Sequence, residues 1–360
     1  MLHNIKKLVD EHCKTKGAPV PLLHFHRVDY RSLSMRFLLE SYSDLVPSKP
    51  DDTGRSLRRV SRITGVIHFA AYKSVSESIG KPLQYYKNNV SGLVSLLQLL
   101  DTYSIRSFIF SSSATVYGAK SDAGVPLREH DLVHHPEEHV DEEGNKITHQ
   151  PVVSGLTCPY ARTKYFSEAI LADLAAADPS WHIVALRYFN PVGGDPSGLL
   201  GENPRSTPTN LFPVLGRVLT GSIPSLSVFG SDWETRDGTA IRDFVHVLDV
   251  ARGHIAALRS DISTRPCGFR AYNLGSGSGT TVLEAVRSLE AAAERPISLQ
   301  LVDRRPGDVG MCVANTDRAA LELGWTPRES IAQCAIDQWR SLQRLGAIEQ
   351  SAKQQKNTVT

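Results

Sequence analysis

Short apolar runs separated by long helical patterns constrain this chain more than any other feature. Gly65-Val66-Ile67-His68-Phe69-Ala70-Ala71 and Ser107-Phe108-Ile109-Phe110-Ser111-Ser112-Ser113 are apolar on consecutive residues. Such runs need cover on both faces, which is the condition of a strand buried in a parallel sheet. A helical pattern from Pro82 to Tyr103 separates them. Strand, helix and strand at this spacing imply right-handed crossovers. The rhythm continues with a helix opened by Pro159 and running to about Ala177, then a strand from Trp181 to Tyr188. Beyond the Pro/Gly-rich stretch Asn190 to Pro208 come a helix from Asn210, strands at Leu226 to Phe229, Asp243 to Val247 and Ala271 to Leu274, and a helix from about Asp249.

The front reads differently. Residues 2 to 16 form an amphipathic helix with apolar Leu2, Ile5, Leu8 and Val9, Leu22 to Val28 suggests a strand ending at Asp29, and 32 to 46 is helical in pattern. Pro47 to Arg62 reads as a solvated insertion, 119 to 157 as a long polar loop, and the chain after about Ile348 as a polar, disordered tail. Of 26 glycines only Gly17 falls in the first 53 residues.

At 360 residues the chain has room for two domains of about 100 to 200 residues. A formal charge of +2 gives no global basic surplus, so neither nucleic acid nor an anionic membrane is expected as partner. The apolar runs fall short of the roughly 18 to 20 residues of a membrane span, and the start lacks a signal-peptide apolar region. Cys13, Cys158, Cys267, Cys312 and Cys334 form no close pair, which suits a reducing, cytoplasmic setting.

Two tempting sites read as ordinary structure. His130, His134, His135 and His139 lie near Glu137, Glu138, Glu142 and Glu143, but Pro136 interrupts the helical His135/His139 spacing that a zinc site would use. A solvated loop without metal is expected. Gly275-Ser276-Gly277-Ser278-Gly279 has Thr280 where a third dinucleotide-loop glycine would stand, and reads as a tight turn.

Chemistry concentrates in Cys158-Pro159-Tyr160-Ala161-Arg162-Thr163-Lys164. A tyrosine and a lysine four residues apart share one helix face. A lysine ammonium close to the phenol would lower its pKa and make it a general base. The serine-ended strand Ser111-Ser112-Ser113, one crossover earlier, could bring a hydroxyl to the same substrate oxygen.

Phe110-Ser111-Ser112-Ser113-Ala114-Thr115-Val116-Tyr117-Gly118, the Tyr160/Lys164 pair, Leu186-Arg187-Tyr188-Phe189-Asn190-Pro191-Val192-Gly193, Arg242-Asp243-Phe244-Val245-His246-Val247 and Tyr272-Asn273-Leu274-Gly275 occur in this order. Together they resemble the extended short-chain dehydrogenase/reductase family, and within it the UDP-glucose 4-epimerases, from about Asp29 to about Trp339. The resemblance implies a Rossmann-like doubly wound parallel α/β sheet with a smaller mixed α/β substrate lobe. Its division would be an NAD-binding domain at 1–190, a mainly UDP-sugar-binding lobe at 191–347 and a polar tail at 348–360. It also implies NAD-dependent inversion at C4 of UDP-glucose and UDP-galactose through a 4-keto intermediate, by a homodimer.

By resemblance, Tyr160 moves the proton of the sugar 4-hydroxyl, Lys164 lowers the Tyr160 pKa and holds the nicotinamide ribose, and Ser113 binds the reacting oxygen. Asp29, Phe69, Ala70, Lys73, Asn89 and Tyr188 match cofactor-contacting positions. Asn190, Asn210, Arg242, Arg305 and Asp308 match residues around the nucleotide diphosphate and ribose. Cys312 stands where some members carry a bulky tyrosine, so a 2-acetamido sugar (UDP-GlcNAc or UDP-GalNAc) should also fit. The family's opening Gly-x-x-Gly-x-x-Gly turn and its acidic second strand have no counterpart here. That departure suggests a fold incomplete at its N-terminus, weakened NAD binding, and as the alternative a non-catalytic relative. A dehydratase is disfavoured by Ala114 and Thr115, where such enzymes place an acid/base pair.

Overall fold

The computed structural model describes all residues except 1, 48–56, 142, 154, 203–207, 261–267, 306–307 and 358–360. Part of the expected 47–62 insertion, Glu142, Cys267 and the Pro306-Gly307 pair therefore lie outside the described residues.

Parallel strands form the central sheet in the order Phe269–Leu274, His182–Tyr188, Ser107–Ser113, Val66–His68. Phe108, Phe110, Ile183, Ala185 and Ala271 share one core with Leu93, Leu96 and Leu100 of the Gly92–Thr102 helix and Leu171 of the Pro159–Ala177 helix. Ile109, Val184, Leu186, Tyr272 and Leu274 belong to another, with Val250 and Ala257 of the Val247–Arg259 helix and Ala319. Alternate side chains thus enter two different helix-covered cores, and this is why the runs are apolar at every position. Burying each such Leu, Ile or Phe contributes about 1.5 to 3 kcal/mol. The result is the expected parallel α/β sheet with helices on both faces.

A further core gathers Val192, Phe212, Leu215, Val228, Phe244, Ala285, Leu289 and Cys334. Around it, the Ile241–His246 strand pairs antiparallel with Gly279–Thr281 and parallel with Met311–Cys312 and Asn190–Val192. The Gly275–Gly279 segment is the expected tight turn. Buried Asp243 accepts bonds from the Ser276 and Gly277 amides, and a Cβ on Gly275 would sit 2.4 Å from the Asp243 carboxylate.

Four expectations need correction. Leu22 to Val28 belongs to no ladder, and Leu22 and Phe25 are exposed. An extended segment becomes a strand only beside a partner, and no described strand lies along it. The 32–46 helix stops at Ser41, where the Ser41 and Ser43 hydroxyls bond back to the Leu38 and Leu39 carbonyls. The chain then runs as Ser43–Pro47, antiparallel to Leu57–Ser61, so the insertion begins and ends as a paired strand. The 119–157 stretch is not a plain loop, since it holds a hairpin of Glu137–Val140 and Lys146–His149. Its turn is set by Asp141, whose carboxylate accepts from the Glu143 and Asn145 amides, and by Gly144 at φ 86°. Finally, the Ile331–Asn357 helix runs through most of the expected disordered tail. After Gly346 the sequence has neither glycine nor proline to stop it, and its Ala, Gln, Glu and Lys residues are good helix formers.

Candidate active site

Two strand ends and one helix start define the site. Ser113 and Tyr188 are register partners at the carboxyl ends of adjacent central strands. The Pro159–Ala177 helix begins beside them, with Pro159 in its first turn and the Cys158 Sγ accepting from the Ala161 amide at its start. Proline suits that position because its missing N–H would have no intrahelical partner there.

Tyr160 is buried and its phenol hydrogen-bonds Ser113, whose hydroxyl also accepts from the Thr115 hydroxyl at 3.1 Å. Lys164 is buried one turn on and donates to the Ser111 carbonyl at 2.5 Å. Its ammonium lies 4.8 Å from the Phe110 ring centroid and 6.0 Å from that of Tyr160. Burial pushes the ammonium down to about 8, opposed by Glu168 a further turn along. The expected lowering of the Tyr160 pKa by Lys164 is not what this geometry gives. Burial pushes the phenol up to about 12, and the opposing influence is the Ser113 hydrogen bond. The lysine is turned to the strand carbonyl rather than to the phenolic oxygen.

The Tyr188 hydroxyl lies 2.6 Å from the His254 Nε2, and the Phe69 ring is tilted against His254 with centroids 4.8 Å apart. Phe69 and Ala70 are exposed at the end of the Val66–His68 strand. Lys73 is also exposed and reaches Glu202 at 3.6 Å. Phe69, Tyr188 and Lys164 are brought together through His254 and Ser111, whereas Lys73 is turned to Glu202. Asn89 is near but occupied: its amide accepts from the Tyr72 N–H at 2.9 Å and donates to the Tyr72 carbonyl and the Thr163 hydroxyl, each at 3.0 Å. It sits in a single π-helical segment, Tyr86–Ser91, and ties the 70–73 loop to the helix that carries Lys164. Asp29 is exposed and closed onto Arg31 through the Arg31 amide at 2.9 Å and guanidinium at 2.6 Å, contacts that hold its carboxyl down at about 2.

A second group lies where Arg242 and Cys312 pair in register. The Arg242 guanidinium donates to the Ile241 and Val309 carbonyls, both at 2.9 Å, and has no carboxylate ion-pair partner among the described residues. Burial lowers its pKa, and Cys312, Asp308 and Arg305 all act on it electrostatically. Arg305 pairs with Asp308 at 3.0 Å and lies over the Phe229 ring at 4.3 Å. Asn190 donates to the Asp243 carbonyl at 3.1 Å, while Asn210 caps the start of the Leu211–Leu219 helix without a side-chain cap bond. A partly buried cation short of a counter-ion, with a second cation nearby, is suited to an anionic ligand.

Sequence reasoning missed the frame behind these groups. Fully buried Glu168 accepts from the Arg187 guanidinium at 2.7 Å, from His134 at 3.0 Å and from Ser112. Arg187 also reaches Tyr117 at 3.0 Å and the Glu129 carbonyl at 3.1 Å. The available signals were an arginine inside an apolar strand and a glutamate four residues after Lys164. His254, which joins Phe69 to Tyr188, had no signal beyond its helix.

The nicotinamide end of NAD finds suitable groups here: Lys164, a buried ammonium held by a carbonyl, beside Tyr160, Tyr188 and the open Phe69 face. At the opposite end Asp29 is engaged with Arg31, and no glycine-rich strand-to-helix turn precedes Val66 in the sequence.

The pattern of the NAD dependent epimerase/dehydratase family matches residues 42–275. The chain is 44% identical over 279 residues to the UDP-glucose 4-epimerase of Pasteurella multocida, covering 78% of this chain and 75% of that one. It is 43% identical over 275 residues to the human UDP-glucose 4-epimerase, covering 76% and 72%. Among solved structures it is similar to the Bifidobacterium longum UDP-glucose 4-epimerase in complex with NAD+ and UDP, at 36% identity and a TM-score of 0.74, covering 93% of this chain and 87% of that one. It is likewise similar to the enzyme from Stenotrophomonas maltophila with bound NAD and a formylated UDP-arabinopyranose, at 33% identity and a TM-score of 0.75, covering 95% and 88%.

Proposed function

Because the chain belongs to the NAD dependent epimerase/dehydratase family, we propose that it interconverts UDP-glucose and UDP-galactose by inversion at C4. The observation that carries this reading is the half-buried Ser113 hydrogen-bonded to buried Tyr160, with buried Lys164 one turn on, at the carboxyl end of a parallel sheet, together with the under-compensated Arg242. Bound NAD supplies a hydride acceptor that gives the hydride back, so that the reaction needs no net oxidant. Ser113 hydrogen-bonds the 4-oxygen, and Tyr160 removes the proton from that oxygen and later restores it. Lys164 holds the nicotinamide ribose and places a positive charge near the phenolate as it forms. Phe69, Ala70, Lys73 and Tyr188 line the nicotinamide side, and Asn89 positions the 70–73 loop. Asp29 is assigned to the adenine end, where it must release Arg31 to act.

Arg242 and Arg305 bind the diphosphate, with Asn190 and Asn210 beside it and Asp308 at the uridine ribose. Residues 1–190 mainly serve the cofactor, 191–347 mainly the UDP-sugar, and 348–360 form a polar extension. Cys312 leaves room at the sugar for a 2-acetamido group. Cys312→Tyr should therefore lower the ratio of UDP-GalNAc to UDP-galactose turnover, and an unchanged ratio would remove Cys312 as the determinant.

A homodimer is supported by the exposed Leu83 and Phe166, with the Tyr86 ring 6.2 Å from that of Phe166. Free Cys13, Cys158, Cys312 and Cys334 suit a reducing cytoplasm. No helix among the described residues is long and apolar enough to cross a membrane. The non-catalytic alternative is not favoured by relatives that are epimerases at this level of identity. The deciding experiment incubates the purified chain with UDP-galactose and added NAD and follows UDP-glucose by chromatography. Appearance of UDP-glucose to an equilibrium mixture is expected; no conversion at saturating NAD overturns the proposal.

A further inference from the structure

The 137–149 hairpin holds a group of nitrogen ligands that the epimerase reading does not use. His139 lies on Glu137–Val140 and His149 ends Lys146–His149, whose register sets His149 opposite Glu137. His139 and His149 are therefore diagonal neighbours on one face of the hairpin. The short turn Glu129–Asp131 brings His130 against both, with ring centroids 4.2 Å from His149 and 4.8 Å from His139. The His149 Nε2 is 2.7 Å from the His139 Nδ1, and one nitrogen from each of the three rings falls within 4.8 Å of the others.

We propose that His130, His139 and His149 form a three-imidazole site for a divalent ion of the zinc class, with water in the fourth position. Zinc–nitrogen bonds of about 2.0 to 2.1 Å in a tetrahedron separate ligand nitrogens by about 3.3 Å. The widest pair, at 4.8 Å, needs to close by about 1.5 Å, which side-chain rotation on a two-stranded hairpin allows.

The chemistry of the surroundings selects the ion. Glu137, opposite His149 in the hairpin register, is taken by Arg270 at 2.5 Å and Arg318 at 2.7 Å. A neutral, all-imidazole set favours zinc, copper or nickel over magnesium or calcium. The other two histidines of this region are committed elsewhere, His134 to Glu168 at 3.0 Å and His135 to Asp173 at 3.1 Å. The ion would pin the hairpin to the 129–131 turn, where the Glu129 carboxylate accepts from the Asn273 amide at 2.8 Å.

The test uses the full chain, free of any affinity tag and stripped by a chelator, titrated with ZnCl2 by calorimetry and with Co2+ followed in the visible spectrum. One equivalent of zinc is expected, with visible cobalt bands of a low-coordinate site that zinc bleaches. His139→Gln and His149→Gln should each weaken zinc at least tenfold and abolish the cobalt bands while far-UV circular dichroism stays at the parent value. His135→Gln should match the parent in both titrations. Absence of stoichiometric zinc binding by the parent overturns the site, as does equal binding by folded His139→Gln and His149→Gln. If a glutamine variant misfolds, cobalt bands unchanged in His130→Gln overturn it too.

Discussion

At the residue scale the site sets a phenol against its own burial. Tyr160 is pushed up to about 12 with only Ser113 opposing, so the free protein holds it as the neutral phenol. Tyr160→Phe should keep the fold and lower turnover by about 10²- to 10⁴-fold, the span of general acid–base catalysis. A steady-state rate within tenfold of the parent would assign the proton transfer elsewhere. Lys164 carries a complementary cost. Its folded value near 8 lies below the ordinary 10.5, so the folded state binds fewer protons than the unfolded between those values. Its charge opposes folding below about 8, and stability from this group rises with pH towards 10.5. Lys164→Met should therefore melt higher than the parent near neutrality, the gap narrowing toward about pH 10, while activity is lost. A melting point below the parent's at neutral pH would show that the Ser111 bond outweighs the desolvation.

Element by element, the decisive piece is the Pro159–Ala177 helix and what fixes it to the sheet. Its contribution to the core is apolar, through Leu171 and Ala175, but its rotation is set by Glu168 against Arg187 of the adjacent strand. Glu168→Ala would leave the Arg187 guanidinium buried without its carboxylate, an arrangement that costs about 3 to 5 kcal/mol. Urea denaturation should show a loss of that order with little change in slope; a loss below about 1 kcal/mol would mean that Arg187 finds other partners. Against the upward push of burial, Arg187 and His134 hold the Glu168 carboxyl well below its ordinary range, so this stabilisation is present above the unfolded value of 4.5 and is lost as pH falls through the much lower folded one. The helix itself, its first residue and the Tyr160/Lys164 face were all readable from the sequence. Glu168 was not, because its role depends on a partner 19 residues away that only the strand register supplies.

For the whole molecule, the proposed site draws on two cores: Ser113 ends a central strand and Tyr160 opens the helix beside it, while Arg242 and Cys312 lie on the Ile241–His246 sheet. UDP alone should therefore raise the melting temperature, by mass action about 2.7 kcal/mol at a hundredfold excess over its dissociation constant. Arg242→Ala should abolish most of that shift without lowering the unliganded melting point by more than a few degrees. An undiminished shift would place the diphosphate elsewhere. The sequence by itself determined the parallel sheet, its strand and helix order and the Tyr160, Lys164 and Ser113 positions, because apolar periodicity and local spacing are written along the chain. Only the tertiary structure decided that Leu22 to Val28 is not a strand, that Lys164 turns to a carbonyl rather than to the phenol, that Asp29 closes on Arg31, and that His130, His139 and His149 meet. Each of these depends on which groups lie across space, and the energies of burial, ion pairing and strand pairing are fixed by those neighbours rather than by sequence distance.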